Sequence, residues 1–73
     1  MNREREREHL VQVDRHIAEC KTHIARQREI IQELLQNGRD TELAVSMLHA
    51  LRGNLRSFER HRALVIERLK DTG

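Results

Sequence analysis

The chain has 73 residues, with 14 Lys and Arg against 12 Asp and Glu for a formal net charge of +2, which is enough for one small domain. Hydrophobic residues make up 37% and charged residues 36%, with three Gly, one Phe and no Pro, Trp or Tyr, so a β-rich or loop-rich fold lacks the turn formers it would need. One Cys excludes an intrachain disulfide scaffold, no stretch approaches the roughly 18 consecutive apolar residues of a membrane span, and the opening MNREREREH is too charged for a signal peptide; a cytoplasmic location is expected.

The first predicted element follows an unbroken heptad stripe. Leu10, Val13, Ile17, Cys20, Ile24, Gln27, Ile31 and Leu34 are separated alternately by three and four residues, and only Gln27 is polar. The spacing predicts a helix from about residue 3 to 36. Its leading Arg3-Glu4-Arg5-Glu6-Arg7-Glu8 run sets attractive i,i+3 pairs against like charges at i,i+4, so this first turn or two is expected to fray.

A turn is predicted at residues 37–40. Gly38 can adopt the left-handed conformation that closes a helix after Asn37, and Asp40 is a good N-cap for the next one, with Glu42 suited to the positive end of its dipole. So short a link folds the second helix back antiparallel.

The second helix is predicted over about residues 41–70, with Asp71-Thr72-Gly73 as a loose end. Its stripe is Ala44, Leu48, Leu51, Leu55, Phe58, Arg62, Val65 and Leu69, while Gly53 lies opposite. Folding at Gly38 pairs Ile31 with Leu48, Ile24 with Leu55, Cys20 with Phe58 and Val13 with Val65. Gln27 then falls near Leu51, and Arg62 near Ile17, from where its head can reach Asp14. The fold class expected is all-α, an antiparallel two-helix hairpin.

A chain of this length buries only about 60% of its unfolded surface, so oligomerisation is the remaining source of stability. Ile30, Leu35, Leu43, Met47, Ala50 and Leu64 extend beyond the stripes as a dimer or partner interface, and Ile30, Leu43 and Met47 gather at the turn. A homodimer forming a four-helix bundle covers them most simply. Apolar extras lie on both flanks, so the flank used stays open.

Three groups of residues could carry chemistry. His16, Cys20 and His23 stand at i, i+4 and i+7, and His61 should approach His16 across the seam, giving the nitrogen and sulfur complement of a tetrahedral zinc site. The competing reading, a small core Cys among half-exposed rim histidines, takes precedence, and no cofactor is expected. Arg52, Arg56 and Arg60 recur every four residues as a basic ridge that phosphates could occupy, although Trp and Tyr for base stacking are absent. Gln27 and Arg62, polar in apolar stripes, read as register-setting residues. Catalysis is not expected: there is no Gly-rich phosphate loop, no Ser/His/Asp arrangement, and no concave region that two helices alone would form. Nor is a membrane-surface role, since the polar faces mix Glu with Arg and lack aromatic anchors.

The stretch RQREIIQELLQNGRDTELAVSMLHALRGNL, followed by FERHR, resembles short bacterial helical-hairpin proteins of unassigned function. The resemblance implies the hairpin fold and a soluble cytoplasmic product, but no activity. In architecture the chain is similar to the plasmid-encoded ROP hairpin, which dimerises into a four-helix bundle and binds RNA. That family's Phe, near the start of its RNA-binding helix, has no counterpart here, because Phe58 lies in the second stripe; the likeness therefore bears on the dimer more than on RNA. The function expected is that of a small self-associating interaction or regulatory module that binds a protein partner, with nucleic-acid binding through the basic ridge as the alternative.

Overall fold

Each heptad stripe occupies one side of a continuous helix. The computed structural model describes residues 3–71; α1 spans Arg3–Gln36 and α2 spans Glu42–Asp71, and the two pack side by side in opposite directions. No strand occurs among the described residues. α1 has its expected limits, while α2 begins and ends one residue later than expected. Asp71, expected in a loose end, is helical, and Thr72 and Gly73 lie outside the described residues.

Glycine closes α1 in the manner its sequence predicts. Gly38 has φ +66°, its N–H donates to the Leu35 carbonyl at 3.1 Å, and the Arg39 N–H donates to the Leu34 carbonyl at 2.8 Å. These two bonds form a Schellman motif and satisfy carbonyls that the helix end would leave bare. The N-cap of α2 moves by one residue. Thr41 supplies the first helical acceptor, to the Val45 N–H at 2.9 Å, so Thr41 is the cap; Asp40 instead accepts from the Glu42 N–H at 3.0 Å.

The seam buries Val13, Ile17, Cys20, Ile24 and Gln27 of α1 against Ala44 and Val65 of α2, with Val65 0% exposed. Leu48, Leu51, Leu55 and Phe58 are only half-buried. Two helices alone can enclose little more than the strip between them.

The alignment of the helices differs from the expected one by a heptad. Cys20 meets Leu51 rather than Phe58, Gln27 meets Ala44 rather than Leu51, and His61 meets His9 rather than His16. A 3-4 stripe repeats every seven residues, so a shift of seven matches apolar positions almost as well; the polar seam residue discriminates. In the observed alignment Gln27, 7% exposed, donates from Nε2 to the Ala44 carbonyl at 3.0 Å beside the small Ala44 side chain, where the other alignment would set it against the bulkier Leu51. Gln27 lies nine residues before the end of α1 and Ala44 two residues into α2, so α1 runs seven residues, about 10 Å, past the start of α2.

The same shift accounts for the start of α1. Arg3–Glu8, expected to fray, is helical because the last turns of α2 lie beside it. Glu6 stands four residues before Leu10 and continues the stripe; its half-buried carboxylate lies 3.8 Å from the Arg68 guanidinium. The result is an elongated particle of 56 × 14 × 12 Å. Its radius of gyration is 16.8 Å, against about 11 Å for a compact domain of this length. Among the described residues no helix is long and apolar enough to cross a membrane.

Candidate interaction surfaces

A side-by-side helix pair has two broad flanks, and the cross-helix contacts sort the border residues between them. On one flank His9 and His61 meet Nε2 to Nε2 at 3.0 Å, one imidazole donating and the other accepting. Two turns further along α1, His16 stacks on Phe58 with ring centroids 5.3 Å apart and planes 12° from parallel. On the other flank Arg62 donates from Nε to Asp14 at 2.6 Å, the reach anticipated from its seam position. Asp14 and Arg62, with Ile17, Lys21 and Glu59, line a shallow open groove. The expectation of no concave region is corrected to that extent: long rim side chains from both helices wall off a trough, open to solvent and mixed in charge.

The apolar extras expected beyond the stripes are largely uncovered. Leu43 is 76% exposed, Leu35 58%, Leu64 56% and Met47 51%, and Val11, nearer the start of α1, 60%. Ala50 is also exposed, whereas Ile30 is half-buried. The seven-residue overhang of α1 leaves Ile30, Ile31 and Leu34 without full cover, so the surplus at the turn end is larger than the sequence alignment implied.

The four residues considered for a metal do not converge. His61 turns to His9, His16 lies flat on Phe58, and Cys20 is buried with its thiol donating to the Leu51 carbonyl at 3.3 Å. No group of three or more His, Cys, Asp or Glu stands close enough to hold an ion among the described residues. The one-heptad shift is the cause: it removes His61 from the neighbourhood of His16.

The arginine ridge keeps its expected form on the outer side of α2. Arg56 and Arg60 are exposed and Arg52 is half-buried. None of the three takes part in an ion pair among the described residues.

Two of these contacts were not anticipated from the sequence. Glu6 extends the α1 stripe, a place its charge disguises although its spacing to Leu10 marks it. His9 stands seven residues before His16 in the same heptad row as His23, but its partner depended on the helix alignment. No family model, curated protein or solved structure matches this chain.

Proposed function

We propose that this hairpin is a self-associating helical module that works by binding protein, its own copies first, and carries out no catalysis. The observation that supports this reading is surface. The chain exposes 5725 Å² at 8.7 kDa, whereas a compact monomer of that mass exposes about 4700 Å². The difference, about 1000 Å², is close to one partner's share of a stable interface. Leucine and methionine side chains form part of it, at Leu35, Leu43, Met47 and Leu64. A four-helix bundle built on one flank would cover Leu43, Met47 and Leu64 and thicken the elongated particle. Sedimentation equilibrium tests the reading: a mass of twice 8.7 kDa at micromolar concentration is expected, and a chain that stays monomeric throughout the range overturns it.

One observation favours a second reading, nucleic-acid binding through Arg52, Arg56 and Arg60, namely that none of these cations is in an ion pair among the described residues. Contacts to phosphate weaken steeply with salt, whereas apolar helix packing hardly responds. Filter binding of duplex and single-stranded RNA and DNA at low and high salt separates the two readings; no salt-sensitive retention removes this one.

A further inference from the structure

The two flanks differ in charge, and this difference identifies where a second copy would sit. The flank marked by the His9–His61 contact takes the α1 border positions His9, His16, His23 and Ile30, one heptad apart. From α2 it takes Met47, Asn54 and His61, and beside them Leu43, Ala50, Ser57 and Leu64, again by heptad spacing. None of these residues is Asp, Glu, Lys or Arg, in a chain of which 36% is charged; the two α2 rows then run on into Arg68, which lies 3.8 Å from Glu6, and Asp71 at the end of the helix. The opposite flank carries Asp14, Lys21, Arg28, Arg52 and Glu59 in the equivalent border positions, with Leu35, Val45 and Ile66 at the ends of the same rows.

We infer that two copies of this hairpin meet through the histidine-lined, uncharged flank, and that the charged flank stays in solvent. The inference rests on the self-association proposed above and specifies its surface. A twofold interface brings one patch against itself, so any net charge within it faces its own like. The uncharged flank meets that condition from Leu43 to Leu64, and just beyond it Arg68 stands beside the opposite charge of Glu6. Its size is also suitable: a face of 56 × 14 Å projects to roughly 800 Å², one partner's share of a standard interface. Of the five large exposed apolar side chains among the described residues, three, Leu43, Met47 and Leu64, lie on this flank. Along the outer edge of α1 the patch ends in a charged rim, where Arg26 pairs with Glu29 at 3.1 Å, the polar border that interfaces usually carry.

The test is sedimentation equilibrium on the full chain and five variants, with helicity checked by circular dichroism. Met47→Glu and Leu64→Glu each place a charge in the proposed contact and should raise the dimer dissociation constant about 100-fold, as expected for truncating or charging a buried anchor. Val11→Glu and Leu35→Glu change the exposed apolar residues outside this flank and should alter it less than about threefold. Asn54→Leu adds apolar surface inside the contact and should tighten the dimer about tenfold, an outcome that a merely misfolded variant cannot give. If the wild type is a dimer and the Val11 and Leu35 variants dissociate it while the Met47 and Leu64 variants do not, the flank is wrong and self-association stands. A monomeric wild type overturns both, leaving the surplus surface to a different protein.

Discussion

At the scale of single residues, the two helical-region glycines should respond oppositely to alanine. Gly38 holds φ +66° with nothing within 4 Å of an added Cβ, so Gly38→Ala pays only backbone strain, about 1–2 kcal/mol. Gly53 is helical, and the nearest atom to an added Cβ is the flexible tip of Arg56 at 3.9 Å; Gly53→Ala should gain about 0.5–1 kcal/mol. Urea unfolding of both variants checks the pair of signs, and equal signs would contradict the turn geometry. Cys20 offers a kinetic readout. Buried and directed at the Leu51 carbonyl, its thiol should react with iodoacetamide only as fast as the fold opens, then fully in urea. By contrast the Asp14–Arg62 pair, although 2.6 Å long, has both side chains nearly half exposed, so Asp14→Asn should cost below about 1 kcal/mol.

Between the helices, the matter is alignment. Periodicity alone located α1, the turn and α2 to within a residue, because a 3-4 apolar stripe and an αL glycine are local signals. Helix alignment is not local. Two stripes of equal period fit at shifts of seven, and the sequence reading chose the one in which a minimal turn dictates the pairing. In the structure the five residues Asn37–Thr41 double back past the last turns of α1, and Gln27 at the Ala44 carbonyl distinguishes the two fits. The candidate metal quartet depended on that choice and dissolved with it, whereas the arginine ridge, defined within one helix, did not. Gln27→Leu should therefore raise the unfolding free energy by about 1 kcal/mol, since it replaces a buried amide with apolar surface. It should also remove the preference between fits, visible as doubled amide resonances. A variant that is less stable yet singly aligned would show that Gln27 contributes stability rather than specificity.

For the whole molecule, stability and association should prove to be one quantity. If the hairpin's surplus surface is covered only by a second copy, the unfolding midpoint must rise with chain concentration. A hundredfold rise adds about 2.7 kcal/mol per mole of dimer. Thermal melts at two such concentrations check this, and superimposable curves would contradict it. The arrangement of the chain's two described ends has a separate consequence. Glu6 and Arg68, each three residues inside a described end, stand 3.8 Å apart. A short linker could join these ends, and the chain could then be opened between Gly38 and Arg39. Such a circular permutant would run α2 before α1, yet its helices should interlock as before, because the Gln27 bond and not the natural turn selects how they mesh.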